Sequence, residues 1–171
     1  MIYVCSLSRL HSIVDETGAE HVVTLIRDTT RVRRPQQIRE ENHLILSVDD
    51  IEDELEGMVA PAETHVAELL TFVQGWKREK PIVVHCFAGI SRSTAAAYIT
   101  ACAIQPERDE REIARAIRDA SVTAQPNPRI VGFGDKLLNR NGRMVEAVQA
   151  IGKGSFGGTW IEEAEPFVIK I

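Results

Sequence analysis

The sequence has few cysteines, no long apolar run and no excess of positive charge, and each absence excludes a class of protein. Its three cysteines, Cys5, Cys86 and Cys102, show neither the even number nor the spacing of a disulfide framework or a zinc site. Acidic residues outnumber basic residues by 25 to 20, which argues against a general binder of nucleic acid or membrane surfaces. No stretch is long and apolar enough to cross a bilayer.

The beginning of the chain and its cysteine usage point to a protein of a reducing compartment. Residues 1–7 lack the basic segment and the length of a secretory signal, and we expect them to form a strand. A free, reactive thiol persists best in the cytoplasm, which is the predicted location. No linker composition and no repeat divides the 171 residues, so a single domain over residues 1–171 is predicted.

Short β-like runs alternate with helical patterns in the first half of the chain. The runs are rich in Val, Ile and Leu, as in strands buried on both faces. They cover Ile2–Leu7, His21–Ile26, His43–Val48, Ile82–Cys86 and Pro166–Ile171. Helical patterns cover Ser8–Thr17, Thr94–Ile104, Arg129–Leu138 and Arg143–Ala150, and two more begin at Pro61 and Pro106. This order predicts an α/β fold with a central, mostly parallel sheet of about four to five strands flanked by helices.

The most informative segment is residues 85–93, which follow the apolar run Pro81–Val84 and precede a helical pattern. A loop between a buried strand and a helix can surround an anion with backbone N–H groups, while the positive end of the helix points at it. The same field favours the thiolate form of Cys86, which is the nucleophile. Arg92 offers a planar pair of donors suited to two phosphate oxygens. These residue types together predict a phosphatase site at the carboxyl end of a strand.

The nine residues His85-Cys-Phe-Ala-Gly-Ile-Ser-Arg-Ser93 resemble the signature of the cysteine-dependent protein tyrosine phosphatases: His-Cys, five residues, Arg, then Ser or Thr. The short chain and mid-chain signature resemble the dual-specificity branch and its compact bacterial relatives. Residues 43–50 are similar to the strand that leads to the family's acid loop, and Ala124–Phe133 resembles its Pro-Asn segment. The resemblance covers roughly residues 20–140 and implies the phosphotyrosine protein phosphatase II-like fold.

The resemblance also implies a role for each residue of the loop. Cys86 would attack phosphorus and form a phosphocysteine, and Ser93 would hydrogen-bond the sulfur and help it leave. His85 would support the loop from behind, and Asn127 would tie it to the following helix. The phosphate oxygens would be held by residues of the loop: Phe87, Ala88, Gly89, Ile90, Ser91 and Arg92.

A phosphatase of this kind needs a general acid to protonate the leaving oxygen. Asp50 aligns best with the family's catalytic aspartate, Asp49 is its neighbour, and Asp53 is a third candidate. Adjacent residues after a strand point to opposite sides, so only one of Asp49 and Asp50 can serve, and we expect Asp50. No metal and no cofactor is expected, because arginine and backbone dipoles supply the positive field.

Other candidate groups receive structural interpretations. Cys5 and Cys102 are expected in the core. The remaining histidines show no ligand spacing and are expected to be structural or exposed: His11, His21, His43 and His65. The arginine-rich stretch Arg27–Glu41 is predicted to be a solvated surface loop that could also meet an anionic substrate. Gly152–Gly157 fits a phosphate-loop pattern, but no β run immediately precedes it. Residues 152–171 are therefore predicted to be a glycine-rich connection and a terminal strand or tail.

The predicted activity is hydrolysis of phosphomonoesters by a protein tyrosine phosphatase, with dual specificity left open. The substrate would be a phosphorylated protein or a small phosphomonoester, and no nucleic-acid or membrane partner is expected. A phosphoinositide or RNA 5′-phosphatase is an alternative, but Phe87, Ala88, Ile90 and Ser91 add no charge for a polyanion. A catalytically silent phosphate-binding module is the other alternative. The oligomeric state stays open.

Overall fold

Five strands form the central sheet of the protein, whose computed structural model describes residues 1–157 and 163–171. The strands are β1 (Ile2–Cys5), β2 (His21–Leu25), β3 (His43–Leu46), β4 (Ile82–His85) and β5 (Phe167–Ile169). The helices are α1 (Leu10–Thr17), α2 (Glu63–Gly75), α3 (Arg92–Ile104), α4 (Glu110–Ala120), α5 (Pro128–Leu137) and α6 (Arg143–Ile151).

The strand order is β3-β2-β4-β1-β5, and only β5 runs antiparallel, along β1. The predicted fold class is confirmed: α/β, with a mostly parallel sheet between helices. The predicted β4 extended one residue too far, because the strand ends at His85 and Cys86 already begins the loop. The predicted β3 likewise continued to Val48, although the strand ends at Leu46.

The continuous apolar character of the strands reflects burial on both faces of the sheet. Val83 packs with Leu10 and Val14 of α1 on one face, whereas Val84 packs into the larger core on the other face. Burying one such side chain stabilises the fold by about 1.5–3 kcal/mol. The larger core surrounds α3, in which every residue from Ser93 to Cys102 is buried. The pattern Thr94–Ile104 is apolar nearly all round, which is typical of a buried, central helix, and α3 is such a helix.

Two helices begin later than their prolines indicated. α2 starts at Glu63 rather than Pro61, and α4 starts at Glu110 rather than Pro106. In α4 the start is fixed by a cap, because the Asp109 carboxylate accepts a hydrogen bond from the backbone N–H of Arg111 at 2.7 Å.

The two least regular regions were predicted with partial success. The arginine-rich stretch is mostly loop, but it contains a 3₁₀ turn at Glu40–Asn42 and a fully buried Ile38 that anchors it under α1. The predicted terminal strand is present as β5, while residues 158–162 of the predicted connection lie outside the described part of the chain. None of the described helices has the length and apolarity needed to span a membrane.

Candidate active site

The signature loop, defined here as residues 86–91, connects the end of β4 to the start of α3. Four of its carbonyl groups accept hydrogen bonds from the surrounding protein rather than from the loop itself. These bonds join Phe87 O to Leu7 N (3.1 Å), Ala88 O to Ala164 N (2.8 Å), Ile90 O to Gln125 N (2.9 Å) and Ser91 O to Asn127 N (3.3 Å). Three separate segments of the chain, around Leu7, Gln125–Asn127 and Ala164, therefore hold the loop from outside.

The outward carbonyls determine where the N–H groups point. In a trans peptide unit the N–H of the next residue is opposed to the carbonyl, and no cis peptide occurs in the described residues. The N–H groups of Ala88, Gly89, Ser91 and Arg92 are therefore turned inward. Within residues 1–157 and 163–171, no N–H group of residues 87–91 donates to a backbone carbonyl. The result is a concave set of donors suited to an anion.

Gly89 allows the loop to pack against the end of β1. Its φ is +74°, and a Cβ at this position would lie 2.9 Å from both the carbonyl carbon of Cys5 and the backbone nitrogen of Ser6. Both contacts are with backbone, which cannot move aside. Glycine is therefore required here for two independent reasons.

Cys86 lies at the base of the donor set, where it is 1% exposed, and its Sγ is 3.1 Å from Ser93 Oγ. Ser93 is fully buried in the first turn of α3, so its hydroxyl has few other positions. The two other cysteines lie in the core, as predicted. Burial raises the pKa of both Cys5 and Cys102 to about 12, which keeps these thiols protonated.

One nitrogen of the Arg92 guanidinium is hydrogen-bonded within the described part of the protein, and another is not. Its Nη1 donates to the carbonyl of Val48 at 2.9 Å, and its Nε lies 3.8 Å from Asp50 Oδ2. Nε has no hydrogen-bond partner within the described residues, although it is buried. The guanidinium is thus held beside the loop with a donor still to be used.

Of the three candidate acids, Asp50 is the one that lies at the signature loop. Its Oδ1 accepts hydrogen bonds from Ser91 Oγ at 2.7 Å and from Asn127 Nδ2 at 3.0 Å. Asp49 points away, where its Oδ2 accepts from Arg27 Nη1 at 3.1 Å and from the backbone of Val59 at 2.7 Å.

Asp53 is exposed and makes no hydrogen bond or ion pair within the described part of the chain. Asn127 was expected between the loop and the next helix, and its contacts place it there. Its Oδ1 caps α5 by accepting from Ile130 N at 3.1 Å, while its amide nitrogen holds Asp50.

Behind the loop, a threonine links two histidines across the sheet. Thr24 Oγ1 lies 2.7 Å from His85 Nε2 and 2.8 Å from His43 Nε2. One hydroxyl proton cannot serve both nitrogens, so at least one of the two imidazoles donates from Nε2 to the Thr24 hydroxyl. Thr24 and His43 were not identified as site residues, because only the strand register brings residues 24, 43 and 85 together.

Burial keeps both imidazoles neutral. It lowers the pKa of His85 to about 3, with the charge of His43 adding to the effect. The backbone carbonyl of Cys86 opposes this shift, although no regular hydrogen bond joins it to His85 Nδ1. Burial, and secondarily the charge of Arg34, lowers the pKa of His43 to about 4. The loop therefore rests on an uncharged polar chain near neutral pH.

The acid segment, defined here as residues 49–61, carries Asp50 and follows β3. Its residues 52–58 are all exposed, so it has little apolar anchoring. Two arginines from other elements bind it. Arg27 contacts Asp49 and donates to the carbonyl of Gly57 at 2.6 Å, and Arg129 contacts it from the first turn of α5. Sequence patterns gave no signal for either contact.

A family model described as protein-tyrosine phosphatase matches residues 55–123, which include the signature loop. No curated protein matches the chain. The crystal structure of DUSP15 is similar with a TM-score of 0.59 and 19% identity, covering 90% of this chain and 94% of that one. The crystal structure of human DUSP28 is similar with a TM-score of 0.62 and 18% identity, covering 87% of this chain and 94% of that one.

The Yvh1 phosphatase domain from Chaetomium thermophilum gives a TM-score of 0.62 and 20% identity, with coverage of 84% of this chain and 93% of that one. At such identities the structures establish a shared fold. Together with the family model, they confirm the resemblance to the cysteine-dependent protein tyrosine phosphatases and support a phosphatase.

Proposed function

We propose that this chain, a relative of the protein tyrosine phosphatases in sequence signature and fold, hydrolyses phosphomonoesters through a phosphocysteine on Cys86. The observation that carries the proposal is the orientation of the loop. Its carbonyls bond outward, its N–H groups face inward around a thiol, and a carboxylate is held beside it. Such a site presents a nucleophile, an anion cradle and a proton donor to one phosphate group.

In the first step the Cys86 thiolate attacks phosphorus while the bond from phosphorus to the substrate oxygen breaks. Asp50 donates its proton to the departing oxygen, so the alcohol or phenol leaves neutral. Arg92 Nε and the inward N–H groups hold the three non-bridging oxygens as their charge redistributes. Because Arg92 Nη1 is fixed on Val48, the guanidinium needs little reorganisation to do so.

In the second step a water molecule attacks phosphorus and gives its proton to the Asp50 carboxylate, which restores the acid. The bond from phosphorus to sulfur breaks, and inorganic phosphate and the Cys86 thiolate are released. Ser93 Oγ, 3.1 Å from the sulfur, can donate a hydrogen bond that stabilises the departing thiolate. Ser91 and Asn127 keep Asp50 in place for both proton transfers.

The loop favours a substrate with one phosphate on an aromatic group. No charged side chain is present among its variable positions, Phe87, Ala88, Ile90 and Ser91, so it offers nothing to a second phosphate. Phe87 is 59% exposed and can pack against an aromatic ring. We therefore propose phosphotyrosine as the substrate, in a reducing compartment such as the cytoplasm, where a thiolate nucleophile stays active.

The test is hydrolysis of aryl phosphates in the presence of a metal chelator. We expect the wild type to turn over, Cys86→Ser to lose all activity while still binding vanadate, and Asp50→Asn to lose about 100-fold or more with a poor leaving group. Activity retained in Cys86→Ser contradicts the mechanism. An inactive wild type that binds vanadate indicates the silent phosphate-binding module instead. Faster hydrolysis of a phosphoinositide or an RNA 5′-phosphate than of a phosphotyrosine peptide contradicts the substrate assignment.

A further inference from the structure

Arg129 binds the acid segment at two places, Glu52, where the exposed part begins, and Pro61, where the segment ends. Its Nη1 donates to the carbonyl of Glu52 at 2.9 Å, and its Nε donates to the carbonyl of Pro61 at 2.6 Å. Its Nη2 is 3.3 Å from Glu54 Oε1. One guanidinium thus joins three points of the segment to the first turn of α5.

The hydrogen bonds from Arg129 to backbone carbonyls hold the acid segment more strongly than its ion pair with Glu54 does. The Glu54 side chain is 86% exposed, so solvent screens its attraction to the guanidinium. The Arg129 side chain is only 24% exposed and lies over the ring of Phe133 at 5.6 Å, which restricts its position. A restricted planar donor that bonds two carbonyls defines the distance between them.

The segment has few other fixed points in this region. Residues 52–58 are all exposed, so no buried side chain holds them against the core. Apart from Arg129, the segment is held by hydrogen bonds between Asp49 and Val59 and by the two hydrogen bonds that Arg27 donates to Asp49 and Gly57. Asp50 itself is bound by Ser91 and by Asn127, which lies two residues before Arg129. The same end of α5 therefore holds both the acid and the segment that carries it.

We propose that Arg129 is a positioning residue that holds the acid segment over the signature loop before substrate binds. This inference rests on the proposed function, in which Asp50 is the general acid. Arg129 touches neither the signature loop nor Cys86 in any described contact, so its loss affects proton transfer to the leaving group and spares phosphate binding. The two carbonyl hydrogen bonds require a guanidinium, and lysine cannot replace it.

The experiment compares leaving groups in Arg129→Gln and Arg129→Lys. Phenyl phosphate needs the acid because phenol is a poor leaving group, whereas 2,4-dinitrophenyl phosphate needs it little. We expect both variants to lose about tenfold in kcat/KM on phenyl phosphate and less than about twofold on the dinitrophenyl ester, because kcat/KM reports the step in which the leaving group departs. Inhibition by inorganic phosphate stays unchanged. Asp50→Asn provides the reference pattern, with a larger loss of the same kind.

Lys136→Gln is the matched control. It removes one positive charge from the same helix, where Lys136 pairs with Glu63 at 2.6 Å and has no described contact with the acid segment. We expect wild-type rates on both esters. Thermal unfolding of each variant shows whether it is folded, and Arg129→Lys carries the test if Arg129→Gln is not.

Three results would overturn the inference: wild-type leaving-group dependence in both Arg129 variants, equal losses on the two esters, or full activity in Arg129→Lys. Failure of the proposed function looks different. In that case Asp50→Asn itself shows no dependence on the leaving group, or Cys86→Ser remains active, and the inference is overturned together with the function.

Discussion

The signature loop and the acid segment meet at one site but are held by different means. The loop is fixed by four backbone hydrogen bonds from three parts of the chain, and Cys86 within it is almost fully buried. The acid segment is exposed over residues 52–58 and is bound largely by the side chains of Arg27 and Arg129. Single substitutions can therefore release the acid segment, whereas few side-chain changes can reshape the loop without altering its backbone.

This difference separates two functions of the site. In the proposed mechanism, phosphate binding and nucleophilic attack depend on the loop, and proton transfer depends on the acid segment, which has fewer buried contacts. Glycines provide the most direct comparison, because Gly89 in the loop and Gly57 in the acid segment both have positive φ, +74° and +76°.

The largest effect is expected from Gly89→Ala. Its new Cβ would lie 2.9 Å from backbone atoms of Cys5 and Ser6, so the loop must shift. After this shift its N–H groups no longer point at the same position. We expect a loss of about 100-fold or more in kcat/KM together with loss of vanadate affinity. Gly57→Ala is the control, since its Cβ meets open space, and we expect activity within about threefold of wild type. Similar losses of activity in Gly89→Ala and Gly57→Ala would contradict the difference between the loop and the acid segment.

An intermediate effect is expected from Ser91→Ala, which connects the two regions. It removes the 2.7 Å hydrogen bond to Asp50 and leaves the backbone of the loop intact. We expect about a tenfold loss on a poor leaving group and vanadate affinity near that of the wild type. Steady-state kinetics with two esters and vanadate titration check both parts. A loss confined to vanadate binding would assign Ser91 to the phosphate cradle alone.

A further difference concerns acid pH, because the loop rests on neutral histidines and the acid segment does not. The pKa of His43 falls from 6.5 in the unfolded chain to about 4 in the folded protein, so the unfolded state binds more protons between these values. The free energy of unfolding should therefore decrease as the pH falls from 6.5 towards 4. In His43→Gln the decrease should be shallower. Urea unfolding at several pH values measures it, and identical slopes would contradict the assignment.

The smallest effect is expected from Glu54→Gln. The carboxylate is 86% exposed, and its pairing with Arg129 contributes about 0–1 kcal/mol at most. We expect rates within about twofold of wild type on both good and poor leaving groups. A loss as large as that of Arg129→Gln would show that the ion pair, rather than the bonds to Glu52 and Pro61 carbonyls, holds the segment.

The same contrast explains what the sequence could predict. The loop was identifiable because its nucleophile, its glycine and its arginine are consecutive residues between an apolar run and a helix. The preference for Asp50 over Asp49 came from the resemblance, and side-chain alternation left room for only one of them. Both arguments use local chemistry.

Contacts between distant residues had no such signal. Thr24 meets His43 and His85 only through the register of β2 with β3 and β4, and Arg129 reaches Pro61 only because α5 packs beside α2. The start of α4 was also displaced, because capping by Asp109 outweighed the proline at position 106. Sequence alone predicted the residues of the candidate site better than the contacts that support them.

The bond from Ala164 to Ala88 and the pairing of β5 with β1 have a consequence for biosynthesis. A nascent chain synthesised as far as α5 already contains Cys86, Arg92 and Asp50. It still lacks the N–H group that fixes the Ala88 carbonyl and the strand that covers the open edge of β1. We expect the candidate active site to be completed only late in translation, after β5 has left the ribosome and paired with β1.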